Sequence, residues 1–250
     1  MKKISILGMA TLSFLWAGMT IAQEEEEETV FTYATYQYCD TSKEDAADEN
    51  AAKGVDVMNK LVEDGAIAGW GWMAHHTGGQ WRRIRYHNAT SIEAAFEGLE
   101  AINEALTAEF GEDDGGDGGA CPRHDDYIWQ GENGGGGDDG RGAIGFSVYF
   151  KCDIVREGRA DEIVDEYVAP IMNKIVEDGG LTSWGWSSHV IGGKYRRLHT
   201  TTAPDLNTLL AGRAKSLEEI YADNSAAGAE FAEICGDHTD YIWRIVHESQ

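Results

Sequence analysis

Beyond residue 22 the chain has no apolar run long enough to cross a bilayer. It also lacks G-x-S-x-G, H-E-x-x-H and a phosphate-binding glycine loop, so the common hydrolase, zinc-protease and nucleotide signatures are missing. No CxxC pair occurs, which argues against a zinc site. Basic residues are scarce: 20 Lys and Arg stand against 44 Asp and Glu, a formal net charge of −24. Such a surface repels phosphate backbones and anionic lipid, and nucleic acid is set aside as a partner.

What is present begins with a leader. Lys2 and Lys3 precede the apolar run 4–21, and small residues Thr20 and Ala22 stand before a cut at Gln23. This is the layout of a secretory signal peptide over residues 1–22, followed by an acidic segment, 23–28. The expected location is periplasmic or secreted, with no membrane insertion after cleavage. Four cysteines in an exported chain read as disulfides.

The rest of the chain repeats itself. Trp70-Gly71-Trp72 recurs as Trp184-Gly185-Trp186, 114 residues on. The same offset carries Met58-Asn59-Lys60 onto Met172-Asn173-Lys174, Gly78-Gly79 onto Gly192-Gly193, and Arg82-Arg83 onto Arg196-Arg197. It also carries Tyr127-Ile128-Trp129 onto Tyr241-Ile242-Trp243 and Cys121 onto Cys235; Cys39 maps onto Cys152 at 113. The chain is a tandem duplication, with units over 29–130 and 143–250. The Gly/Asp-rich stretch 131–142 between them reads as a flexible linker.

Within each unit the signals run strand, helix, strand, strand, helix, strand. Phe31 to Tyr38 and Ile144 to Lys151 are aromatic and β-branched, as strands are. A helix with an apolar stripe at Val55, Met58, Leu61 and Val62 follows, and Pro170 is expected to kink its second copy or delay its start. Two strands then flank the Gly-Gly pair as a hairpin, and Ser91 and Asp205 sit where a second helix opens. The order βαββαβ is the ferredoxin-like pattern. In a sheet of order 4-1-3-2, strand one lies beside strand four, which pairs Cys39 with Cys121 and Cys152 with Cys235. Each bridge would contribute about 2–4 kcal/mol.

A ferredoxin-like sheet has helices on one face, and its other face needs a cover. At this point the chain resembles the dimeric α+β barrel superfamily, on element order and duplication. The fold so implied is α+β: two tandem ferredoxin-like βαββαβ units packed sheet-to-sheet as a fused dimeric α+β barrel. The pair would form a pseudo-dimer within one chain, able to stand as a monomer. The superfamily includes small monooxygenases and isomerases, but no catalytic signature of an enzyme family is matched. The disulfides and the string W-G-W-x-x-H-x-x-G-G-x-[WY]-R-R mark a more particular exported branch.

That string spans the hairpin, and strand alternation pairs Trp72 with Arg85, Ala74 with Arg83, and Met73 with Ile84. The face carrying Trp72, Arg83, Arg85, Trp186, Arg197 and His199 is assigned to the barrel lumen, as a pocket for a small anionic or aromatic ligand. Against this stands a reading in which the arginines pair with carboxylates and serve structure. His75 and His189, each opposite an arginine, are the weak candidates for a general base. Tyr36 and Tyr149 are matched across the copies and read as packing residues that could also reach the lumen. No cofactor is expected, and haem on either histidine is the least favoured option. Asp113, Asp114, Asp117, Asp138 and Asp139 lack calcium-loop spacing and read as solvated loops. The function expected is binding of a small molecule or a structural role. Alternatives are a monooxygenase- or isomerase-like enzyme and a partner-binding module with a filled barrel.

Overall fold

The computed structural model describes residues 29–111, 119–136 and 140–249. The leader, the acidic segment and the aspartates at 113, 114, 117, 138 and 139 lie outside the described residues.

Eight antiparallel strands close into one barrel, in the order β1-β3-β2-β8-β5-β7-β6-β4. The first half contributes β1 (Phe31–Tyr38), β2 (Gly69–Gly78), β3 (Arg83–Ala89) and β4 (Arg123–Gly136). The second contributes β5 (Ile144–Lys151), β6 (Ser183–Ile191), β7 (Arg197–Ala203) and β8 (Asp237–Glu248). The halves are joined by hydrogen-bonded seams, β2 with β8 and β4 with β6, so a single wall surrounds a single lumen. A closed sheet has no edge left to aggregate.

One seam uses residues expected to be linker. Residues 131–136 continue β4 and pair with β6, from Gly131 opposite Ser187 to Gly136 opposite Ser183. Composition hid this strand, because glycine is a poor strand former in isolation. Here it is required: a Cβ on Gly134 would lie 2.9 Å from the Trp184 carbonyl oxygen, and one on Gly135 2.9 Å from the Trp184 indole nitrogen.

Helices pack on the outside. Helices α1 (Glu44–Lys53), α2 (Val55–Glu63) and α3 (Ile92–Phe110) cover the first half, with α4 (Glu157–Ile163), α5 (Ala169–Glu177), α6 (Leu206–Ile220) and α7 (Ala226–Ile234) on the second. Ser91 and Asp205 cap α3 and α6, accepting from the amides of Ala94 and Thr208 at 3.0 Å. Pro170 acts as expected: it stands in the first turn of α5, directly after a π-helical turn at Val164–Val168 that absorbs the irregularity. Gly65 and Gly179, both at φ +75°, end α2 and α5 in the left-handed conformation.

The disulfides are Cys39–Cys121 and Cys152–Cys235, each tying the end of a half's first strand to the approach of its last. Such bonds suit an oxidising compartment. Among the described residues no helix is long and apolar enough to cross a membrane.

Candidate functional site

A strand sends alternate side chains to opposite faces, and in this barrel both faces are buried. The helix-facing side holds most of the repeated motif. Trp70 and Trp184 donate their indole N–H to Asn59 on α2 and Asn173 on α5, at 2.9 and 2.7 Å. Trp72 and Trp186 donate to Asp48 on α1 and Asp161 on α4, at 2.8 and 2.9 Å. The Arg83 guanidinium, 1% exposed, grips Asp48 through Nε and Nη2 at 2.7 and 2.8 Å and reaches Glu44 at 3.2 Å. Arg197 repeats this with Asp161 and Glu157. Burial alone would raise the Glu44 carboxyl, but Arg82 and Arg83 together hold it below its ordinary value. Hydrogen bonds from Arg196, with Arg197 beside it, hold Glu157 down likewise.

The expected pairs are therefore present, Trp72 opposite Arg85 and Ala74 opposite Arg83, but their face is reversed. Arg83 and Arg197 are engaged by carboxylates on α1 and α4 and do not point into the lumen. Arg85 lies over a cavity of about 40 Å³ between the sheet and α1–α3, room for a few waters. In the second half Phe231 packs on Phe150 and Trp186 instead, at 5.5 and 5.8 Å. His199 packs between Trp184 and Trp186, and burial, with Arg213 nearby, pushes its pKa down to about 4. Trp186 borders the lumen, but its indole N–H is committed to α4.

The histidines proposed as bases are each held through one nitrogen, and among the described residues the buried Nε2 of both finds no hydrogen-bond partner. Nδ1 of His75 faces Nη1 of Arg82 at 2.6 Å, and Nδ1 of His189 faces Nη1 of Arg196 at 2.9 Å. A guanidinium can only donate, so each Nδ1 accepts and each Nε2 carries the proton. The rings stand edge-on to aromatic neighbours, His75 to Tyr241 and Trp243, His189 to Tyr127 and Trp129. Burial and the adjacent arginine lower both pKa values, keeping the rings neutral.

The lumen proper is filled at its centre by tyrosine and tryptophan. Tyr36 stacks on Trp81 at 4.2 Å, Trp81 on Tyr241 at 5.3 Å, and Tyr241 on Trp243 at 4.9 Å. Tyr36 accepts from the Trp129 indole at 3.0 Å, and burial raises the phenols of Tyr36 and Tyr149. One barrel end is shut by a reciprocal clasp. The Tyr241 hydroxyl accepts from the amides of Gln80 and Trp81 in the first half's hairpin, at 2.8 and 3.2 Å. Tyr127 sits the same way on Gly192 and Gly193 of the second. The Gly-Gly pairs thus make room for the opposite half's tyrosine, since a Cβ on Gly79 or Gly193 would overlap the ring. A cleft of about 500 Å³ lies outside this clasp, but its Asp125 is already occupied by Tyr38 and Trp81, at 2.7 and 2.9 Å.

The other end is open. A cavity of about 450 Å³ descends to Tyr36, Trp129 and Tyr149, within the range of small-molecule sites. Its shape comes from a failure of the internal symmetry. In the first half, Met73 and Tyr86 project inward, and Tyr86 lies flat on Gly71, where no Cβ would fit. Their counterparts in the second half are Ser187 and Thr200, with Thr200 opposite Gly185. One side of the lumen is filled and the other is not. Arg141, from the expected linker, stands at the mouth beside Tyr86. The sequence reading did not single it out; its one signal is a lone basic residue in a Gly/Asp stretch.

The described residues bordering this cavity include no His or Cys, and His75 and His189 are not among them. The two histidines weighed as haem ligands therefore do not face it. Among the described residues no group of three or more His, Cys, Asp or Glu could hold a metal ion.

No protein-family model matches the chain, and no curated protein sequence matches it. Solved structures do. An anthrone oxidase-like protein superposes at a TM-score of 0.56 with 12% identity, over 90% of this chain and 94% of that one. A putative monooxygenase from Lactobacillus acidophilus gives 0.55 and 6%, over 89% and 97%. Another from Fusobacterium nucleatum gives 0.56 and 7%, over 89% and 94%. The fold is that of the dimeric α+β barrel proteins.

Proposed function

We propose that this chain binds a small, flat, largely apolar molecule in the open end of its barrel. The observation that carries the reading is the replacement of Met73 and Tyr86 by Ser187 and Thr200 at matched positions. A barrel serving only as a filled core would be expected to keep bulk on both sides, because cavities cost stability. Trp129, Tyr149 and Leu198 offer the ligand an apolar wall, and the serine and threonine hydroxyls offer hydrogen bonds at its edge. Export fits the two disulfides, and each half reads as a ferredoxin-like unit, supported by the strand order β4-β1-β3-β2 and its repeat.

The test is calorimetric titration with 2-naphthol against the parent and an S187M/T200Y variant, which restores the first half's residues. Gly185 already leaves the groove in which a tyrosine at 200 can lie. The reading expects at least tenfold weaker binding by a variant that melts no lower than the parent. A folded double variant that binds as well as the parent refutes it.

Oxygenation of the bound molecule is a second reading, favoured by the names of two fold neighbours. It is checked by oxygen uptake in the presence of a ligand that passes the binding test; no uptake above the protein-free rate removes it.

A further inference from the structure

Resting on that lumen reading, we propose that the ligand is an aromatic monoanion, its rings in the lumen and its carboxylate or equivalent acid group held at the mouth by Arg141.

Arg141 has no counterpart in the described part of the first half: its matched position falls before residue 29. It borders both the lumen cavity and the groove outside it, so its guanidinium stands in the wall between them. Its hydrogen bond and its ion pair use one nitrogen. Nη1 donates to the Tyr86 hydroxyl at 2.6 Å, and the same Nη1 lies 3.5 Å from Glu248 Oε2. The first contact is short and fixes the head of the side chain. The second is at the outer limit of a hydrogen bond, so Glu248 is a loose partner. A planar carboxylate arriving from the lumen can form the paired, charge-assisted bonds that Glu248 does not.

The rest of the cavity agrees with an amphipathic guest. Its floor is ring and aliphatic surface, its lateral polar groups are neutral hydroxyls and amides, and Arg141 is the one cationic side chain among the described residues bordering it. An acid group placed deeper would lose its hydration with no cation to replace it. Placed at the mouth, it keeps some water and gains Arg141. The protein's overall negative charge does not prevent this. At physiological salt, charges more than about 8 Å away are largely screened, so the local guanidinium decides.

The experiment pairs 2-naphthoate with its methyl ester, which has the same rings and no charge. Calorimetry on the parent is expected to give naphthoate at least tenfold the affinity of the ester, as a charge-assisted pair would. R141Q should remove that preference while leaving the ester within twofold. E248Q, which withdraws the competing carboxylate, should tighten naphthoate several-fold, an outcome that damage to the fold cannot produce. Equal binding of both probes, unchanged by R141Q and E248Q, overturns the assignment of an anion but leaves the lumen site standing. Failure of both probes to bind overturns the lumen site and this inference with it.

Discussion

Replacing Asp48 by alanine strands the Arg83 guanidinium between the barrel wall and α1. Arg83 is 1% exposed, and Asp48 supplies two of its bonds, at 2.7 and 2.8 Å, while also accepting from the Trp72 indole at 2.8 Å. Breaking a buried ion pair by removing one partner costs about 3–5 kcal/mol. Glu44 still reaches Arg83 at 3.2 Å, which lowers the expectation, whereas the orphaned Trp72 N–H raises it by about 1 kcal/mol. The expected loss is about 3–4 kcal/mol, a fall in melting temperature of about 10 °C for a chain of this size. Urea denaturation followed by circular dichroism measures it. The companion variant D48L/R83M removes both charges and should be more stable than D48A alone, because an apolar pair leaves nothing stranded. A loss under about 1 kcal/mol for D48A, or a double variant less stable than the single one, would show that water reaches the guanidinium and would refute the reasoning.

Three further outcomes are expected. Burial holds His199 at a pKa of about 4 against an ordinary 6.5, so the unfolded chain takes up its proton first; that contribution is whole above pH 6.5 and is lost as pH falls toward 4. It amounts to at most about 3 kcal/mol, and H199F should flatten the stability–pH curve across that window. G79A forces the Tyr241 ring off the hairpin and should cost about 2 kcal/mol by denaturant unfolding; in the background of Y241A the same substitution should cost almost nothing. C152A/C235A opens a loop with a sequence separation of 83 residues and should cost about 2–4 kcal/mol, read as a shift in the urea midpoint.

The duplication made much of the fold legible. Matching the copies aligned the cysteines, and strand alternation paired Trp72 with Arg85 and Ala74 with Arg83. It could not say which face was the lumen. In a barrel wrapped by helices both faces are dry, and Trp and Arg on one side look like a pocket as readily as a helix interface. The deciding partners, Asn59, Asp48, Asn173 and Asp161, are scattered along helices whose polar residues read as solvent-facing. The residues shared by the copies turn out to be scaffold: indoles pinned to helices, arginines on carboxylates, glycines beneath the opposite tyrosine. The candidate site lies where the copies differ, at Ser187, Thr200 and Arg141, and a search for repetition passes over such positions. The extension of β4 was missed for a related reason, since its glycines are set by backbone contact with β6 and not by strand propensity.

The most direct measurement is a crystal of the protein soaked with 6-bromo-2-naphthoate, with the bromine located by its anomalous signal. A single peak inside the barrel, between Thr200 and Trp129, with the carboxylate directed to Arg141, is the predicted result. Bromine found only in the cleft beside Asp125, only beneath the helices near Arg85, or nowhere at all, would contradict the account.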